Sequence, residues 1–450
     1  MHENYDLELL MELVQTRQFR RLRELLVNMN EVDIAEFLDE LGPEETVLVF
    51  RLLPKEVAAE VFTELEDSDD QERLINALSD KELREVLDEL YLDDTVDLIE
   101  DMPANLVSRI LRNTDSTTRS QINQLLNYPK DSAGSIMTTE YVYLHPNATV
   151  EESFARIRKV GMDKETIYTC YVMDDKRHLE GVVTVKDLLM NPYETVIGEI
   201  MDTRVIKAVT TEDREEVVDT FNKYDLLSLP VVDQEDRLVG IITVDDAVDV
   251  MEQEATEDFE KMAAMLPSER PYLKTSVLQL AKNRILWLLI LMLSSTITGS
   301  ILAEYEAAFA AVPLLVTFIP MLMSTGGNSG SQSSTMIIRG MSVGEIEPSD
   351  ILKVIWKEVR VGVICGLCLA VVNYVRLIII YPGREMICLT VVLSIFFIVI
   401  IAKTIGCTLP IGAKVLRLDP AIMASPMITT IVDCLSLMIY FALACRFLEM

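Results

Sequence analysis

One aspartate in this 450-residue chain stands where a charge is costly. Asp433 lies within the last apolar run, residues 427–448. At 1.5 Å of rise per helical residue, its carboxylate would sit roughly 10 Å below a membrane surface. A charge at that depth costs about 2.5–3.5 kcal/mol on insertion scales, so it must face a partner, a cavity or an ion instead of lipid. Two readings are open: a protonated acid hydrogen-bonded to a neighbouring helix, and a cation-binding carboxylate in a pore. A second polar feature, the stretch STGGNSGSQSS from Ser324 to Ser334, interrupts the apolar run 313–337. Polar or irregular backbone at membrane depth must be packed in protein or line water, and small residues also let helices approach closely. Gln332 precedes Arg339 by about 10 Å of helix, which puts it at nearly the level of Asp433. Two polar features at one depth read as a shared hydrophilic path.

The remaining chemistry is acidic. The chain carries 72 acids and 40 bases, and residues 1–283 hold 62 of those acids against 29 bases. Residues 284–450 hold 10 acids and 11 bases. An acidic region of this kind excludes nucleic acid and anionic lipid surfaces and favours cations or basic partners. Asp93 and Asp97 fall at i, i+4 on one helical face. Asp246, Asp249 and Glu257 crowd another face, with no base before Lys261. Carboxylates ~4 Å apart repel by about 1 kcal/mol in water and about 4 kcal/mol at a protein-like dielectric. A bridging divalent ion reverses that sign, and magnesium, which takes oxygen ligands and keeps much of its water, suits loose acid clusters. No enzyme is expected. His2, His145 and His178 all precede the apolar half, and the serines near Gly330 have no nearby general base. The CxxC of Cys365 and Cys368 lies inside an apolar run with no second pair, and reads as packing.

Three kinds of element must position these groups. Residues 5–127 read as helix, with a soft repeat of about 12 residues whose units begin near Asp33, Pro54, Asp80 and Asp93. Short helices of this kind stack into a right-handed solenoid. The N-terminus, Met1 to Leu13, is an acidic amphipathic stretch without the apolar core of a secretory signal. The pattern then changes to alternating strands and helices in two copies. One holds Tyr171 to Asp175 and Gly181 to Asp187 (GVVTVKD); the other holds Leu229 to Asp233 and Gly240 to Asp246 (GIITVDD). The following helix is expected to reach about Met265, where Pro267 and Pro271 break it. Five apolar runs follow, at 284–303, 313–337, 359–380, 386–409 and 427–448. Arg339, Lys353, Lys357 and Arg360 share one loop, and Lys414 and Arg417 lie two spans later. Positive-inside reasoning puts the N-terminal region in the cytoplasm and the C-terminus outside.

The repeated pattern of Gly, two apolar residues, Thr, two residues and Asp resembles the second half of a CBS domain, found here twice. In such pairs the motif Asp binds the ribose of an adenosine nucleotide, a position matched by Asp187 and Asp246, so the resemblance implies an ATP site. A pair acting only as a dimerising scaffold is the alternative. The order of parts resembles the MgtE magnesium channel-transporters across essentially the whole chain. Its specific pieces are Gly326 to Gln332, Asp419-Pro420, Ser425-Pro426, Asp433 and Glu254 to Asp258. The chain departs from the family pattern at Ser425, Thr429 and Lys186.

That resemblance implies an all-α superhelical N-terminal domain at 1–130, CBS domains at 131–198 and 199–255, a connecting (plug) helix at 256–282 and a five-helix transmembrane domain at 283–450. It implies a homodimeric, multi-pass protein of the plasma (inner) membrane that takes up Mg2+. Asp433 would hold hydrated magnesium in a pore lined by Gly326, Gly327, Asn328, Gln332, Ser425 and Thr429. Cytoplasmic Mg2+ would be sensed by Asp93 and Asp97 on the helical domain. Asp213, Glu215, Asp225, Asp246, Asp249, Glu254, Glu257, Asp258 and Asp419 would complete the sensor and gate. Transport of Mn2+, Co2+ or Ni2+, or sensing without transport, are the alternatives.

Overall fold

A computed structural model describes residues 7–65, 68–268, 272–273, 275–306, 310, 312–423 and 425–448. The chain divides into two compact units, Met1–Met251 and Glu252–Met450. The first opens with short helices: α1 (Leu7–Gln15), α2 (Phe19–Leu26), α3 (Glu31–Asp39), α4 (Pro43–Phe50) and α5 (Lys55–Thr63). It continues through α6 (Ser68–Ala77), α7 (Asp80–Leu87), α8 (Leu92–Asp101), α9 (Ala104–Asn113) and α10 (Ser116–Leu125). Each start is punctuated locally. Asn30 and Asp115 accept from the backbone N–H groups of Val32 and Thr117, Ser79 and Glu82 form a reciprocal capping box, and Pro54 and Pro103 occupy N-cap positions. Helices pack on the one two places ahead, α3 on α5, α5 on α7 and α7 on α9, with α8 against α10. That stacking buries a continuous stripe running through Leu22, Ile34, Val49, Val61, Leu74 and Ile110.

Two three-stranded sheets follow. One has the order β1 (Tyr141–Leu144), β2 (Thr166–Met173), β3 (Leu179–Thr184); the other β4 (Ala208–Val209), β5 (Ser228–Val232), β6 (Leu238–Thr243). In both, the first pair is parallel and the second antiparallel. Helices α11 (Val150–Val160), α12 (Val185–Met190), α13 (Ile197–Ile200) and α14 (Arg214–Tyr224) cover them. The modules exchange edges, since Thr138 bridges Ile241 on β6 and Asp202 bridges Val182 on β3. The motif glycines make that exchange possible. A Cβ on Gly240 would lie 2.6 Å from Met137 Sδ and 2.7 Å from the Thr138 carbonyl oxygen, and one on Gly181 would lie 2.8 Å from Met201 Sδ. Helix α15 (Val244–Met262) leaves the second module and ends three residues before the expected Met265, with Ala264 in the left-handed region (φ 54°) just beyond it. Pro271 lies outside the described residues.

The second unit contains α16 (Val277–Glu304), α17 (Ile319–Ser342), α18 (Ile351–Ile380), α19 (Glu385–Val415) and α20 (Ser425–Phe447). Among the described residues, four segments are long and apolar enough to cross a bilayer: Val277–Glu304, Pro348–Ile380, Glu385–Val415 and Pro420–Phe447. The other, α17, is a continuous helix of 24 residues whose polar stretch lowers its hydropathy. Helix α19 is central and packs against α17, α18 and α20. Leu288, Leu293, Ile364, Val372 and Ile379 point outward, as lipid-facing positions require.

Gly240→Ala should destabilise the first unit by about 1–3 kcal/mol, because its methyl meets backbone as well as a flexible Met side chain. A lowered thermal unfolding midpoint checks this, whereas an unchanged midpoint would remove the close-approach reading of the motif glycine.

Candidate metal centre and ion path

The helix–sheet architecture gathers carboxylates that are far apart in sequence. Asp93 sits in the first turn of α8 and is buried, at 8% exposure. One oxygen from each of Asp93, Glu140 and Glu165 lies within 4.8 Å of the others. Glu140 Oε2 accepts from the Leu92 N–H at 3.1 Å, while Glu165 Oε2 is buried without a hydrogen-bond partner. Asp246 belongs to the same electrostatic neighbourhood, and its carboxylate accepts from the Thr243 hydroxyl at 2.5 Å. Burial opposes ionisation throughout this group, and at Asp93, Asp94 and Glu165 the charge of Asp246 comes next. Asp246 is pushed up to about 6, Asp94 to about 7 and Glu165 to about 8, and Asp93 is raised well above the usual carboxylate range. An all-carboxylate donor set of this kind suits a hard divalent cation.

The other sensor positions separate. Asp97, one turn beyond Asp93, is exposed and does not belong to the cluster. Asp249 lies near Glu64, whose carboxyl is raised by burial first and by the charges of Asp249 and Glu31 next. Asp213 caps α14 by accepting from the Glu215 N–H at 2.9 Å, and Asp225 closes that helix in the left-handed region at φ 51°. Glu254 lies further along α15. A second convergence falls inside the second unit. Lys261 near the end of α15 pairs with Glu257 and, at 2.7 Å, with Asp419. Asp258 is raised by burial and then by the charge of Asp419. Asp419 also accepts from the Ala421 N–H at 2.8 Å, just before α20 begins. At the motif aspartates, the Asp187 carboxylate accepts from the Thr184 hydroxyl at 2.5 Å, matching the Asp246–Thr243 pair.

In the membrane half, α17 and α20 run antiparallel in close contact. A Cβ on Gly326 would meet Val432 and Ser436, and one on Gly327 would meet Thr429. Ser331 Oγ lies 2.8 Å from Ser425 Oγ. These contacts correct the expected depth of Gln332: it is level with the start of α20, and Asp433 lies about 12 Å further along, opposite the Gly326–Gly330 segment. The expectation took Arg339 to be level with the start of the last apolar run, whereas Ser331 and Ser334 hold that level, against Ser425 and Met423. The polar residues nevertheless form two adjacent ladders. Ser324, Asn328 and Gln332 are exposed at i, i+4, i+8 on α17, while Ser425, Thr429 and Asp433 follow the same spacing on α20 at exposed or half-buried positions. Among the described residues, Asp433 has no hydrogen-bond or ion-pair partner.

Family models match the chain in four stretches. Residues 319–443 match the family model "divalent cation transporter" (MgtE), 29–131 match the MgtE intracellular N domain, and 133–193 and 197–253 match CBS domains. The chain is 38% identical to the magnesium transporter MgtE of Thermus thermophilus over 444 residues, covering 98% of both. The chain belongs to the MgtE family. The MgtE of Bacillus subtilis is 33% identical, with 93% of this chain and 94% of the relative covered. The cytosolic domain of an Mg2+ channel MgtE crystallised with ATP aligns at TM-score 0.52 and 40% identity, over 54% of this chain and 98% of that one. Sequence reasoning within this MgtE chain missed Glu140 and Glu165, lone acids flanking strands with no periodic neighbour to mark them. It also passed over Lys403, a charge inside an apolar run that the cost of membrane burial, applied to Asp433, could equally have flagged.

Acids held above their ordinary range favour the folded state at low pH, and that contribution is lost as pH rises from about 4 through the values near 6, 7 and 8. The metal-free protein should therefore be less stable at about pH 9 than at about pH 5, and added Mg2+ should raise the melting temperature more at the higher pH. Equal Mg2+ shifts at both pH values would exclude this cluster as the ion site.

Proposed function

We propose that this chain conducts Mg2+ across a cell membrane as a homodimeric channel or transporter, not an enzyme, with its N-terminal domains in the cytoplasm. The observation that carries the reading is the pair of polar ladders on α17 and α20, which end at an Asp433 without a partner. A polar, outward-facing stripe on membrane helices cannot face lipid. A second copy related by a two-fold axis would close the stripe into a path, bringing two Asp433 carboxylates to one axial ion. Carboxylate, hydroxyl and amide oxygens with no His or thiolate select a hard, partly hydrated divalent cation.

Regulation follows from the acid clusters. At high cytoplasmic Mg2+, ions neutralise Asp93, Glu140, Glu165 and Asp246, and Asp249 with the glutamates near it, and the soluble region compacts. The joint of Glu257, Asp258 and Asp419, with Glu254 on the same helix, then holds the end of α15 against the approach to α20, and the path closes. At low Mg2+ the carboxylates repel one another and the joint loosens. Asp97, Asp213, Glu215 and Asp225, outside these clusters, add further acids to the soluble region. ATP is assigned to the module that carries Asp187. Asp246 stands among carboxylates that would repel a phosphate, so Asp187 is the better ribose partner.

In proteoliposomes, the wild-type chain should take up Mg2+ in preference to Ca2+, and Asp433→Asn should lose most of that flux while folding normally. Wild-type flux retained by Asp433→Asn, measured with a Mg2+-sensitive dye, would sink the pore assignment.

A further inference from the structure

Behind the polar ladder of α17, on its buried side, lies a second set of charged groups that the ion path does not use. Lys403 of α19 is 5% exposed, and its ammonium donates to Ser333 Oγ of α17 at 3.4 Å. Ser333, 2% exposed, in turn donates its hydroxyl proton to Glu358 Oε2 of α18 at 2.5 Å. A hydroxyl can donate once and accept twice, so one serine links a buried cation to a half-buried anion, donating to one and accepting from the other. The link sits at the tightest helix crossing in the unit. Three residues from Lys403, a Cβ on Gly406 would lie 2.2 Å from the carbonyl oxygen of Gly330, itself three residues from Ser333. On the α20 side, α17 is held by glycine packing and by hydroxyl contacts, Ser331 to Ser425 and Ser334 to the Met423 carbonyl oxygen at 2.9 Å.

We propose that the Lys403–Ser333–Glu358 link fixes the rotation of α17 about its own axis and so aims Asn328 and Gln332 into the ion path, making Lys403 and Glu358 positioning residues for ion selection. The inference rests on the conduit reading above. Ser333 is adjacent to Gln332, so a turn of α17 that frees the serine swings the amide by the same angle. Among the described residues, Lys403 is the one fully buried charge of the second unit. Losing Glu358 leaves that ammonium without its anion, and losing Lys403 leaves a half-buried carboxylate without its cation, whereas losing both leaves a neutral site.

The test uses the full chain in proteoliposomes, with Mn2+ as competitor for Mg2+. Lys403→Met and Glu358→Gln should each cut Mg2+ flux by at least about tenfold, and the double variant should recover most of it. Ser333→Ala, which keeps both charges and is small enough to fold, should change the strength of Mn2+ competition. The inference is overturned if the double variant does no better than the worse single one, or if Ser333→Ala matches wild type in flux and competition. A wild-type protein without Mg2+ flux would instead fail at the conduit reading and take this inference with it. Flux that is present in wild type and abolished in Asp433→Asn, together with unaltered Lys403→Met, would overturn the positioning role alone.

Discussion

A carboxylate withdrawn from water must be compensated by a proton, a cationic side chain or a metal ion, because the cost of leaving it bare exceeds the margin by which a domain is stable. This chain shows the first two solutions, and leaves other acids for which neither is complete. Glu358 has Lys403 through a serine, and Asp419 has Lys261. Asp94 and Glu165 retain protons toward neutral pH because burial and one another's charge oppose ionisation. Asp93 and Glu140 close around Glu165, whose Oε2 has no hydrogen-bond donor, and Asp433 is left without a partner in the membrane. The groups left without a permanent partner are the ones a transient cation can serve.

That division gives the acid clusters a direction of response. A site satisfied by lysine is indifferent to divalent ions until the ion displaces the ammonium; a site satisfied by protons exchanges them for metal as pH rises. The Lys261 joint and the Asp93 cluster therefore answer to different variables, although both consist of the same side-chain types. The joint stands just before α20, the helix carrying Asp433, since Asp419 pairs with Lys261 and accepts from the Ala421 N–H.

Glycine is the other economy of the fold. In the CBS pair, Gly181 and Gly240 leave room for Met201 and Met137, and the edges of the two sheets interlock. In the membrane unit, Gly330 and Gly406 bring α17 and α19 to backbone contact, and Gly326 and Gly330 make room for α20 side chains. Hydrophobic burial gives little drive within a bilayer, so close packing and interhelical hydrogen bonds supply the cohesion instead. The polar stretch of α17 thus serves two faces: its glycines and Ser333 face helices, while Ser324, Asn328 and Gln332 face outward.

Periodicity, charge and apolar run length were enough to read the order of parts, because each is a local property: a 3.6-residue repeat, an alternation of strand and helix, a span matched to a bilayer. The cost of a charge in lipid singled out Asp433 for the same reason, and the repeated Gly-to-Asp motif marked both CBS modules. Which acids meet is not local. Asp93 joins Glu140 and Glu165 only because α8 packs where β1 and β2 begin, and Asp97, one turn away, is turned to solvent. The register between α17 and α20, which moved Gln332 from the level of Asp433 to that of Ser425, depends on glycine contacts between helices distant in sequence. Lys403 and Glu358 look like two isolated charges until three helices cross around Ser333. Sequence determined which residues could not stay alone, and tertiary packing decided which partner each one received, because a partner must lie within hydrogen-bond reach and only the fold sets that distance.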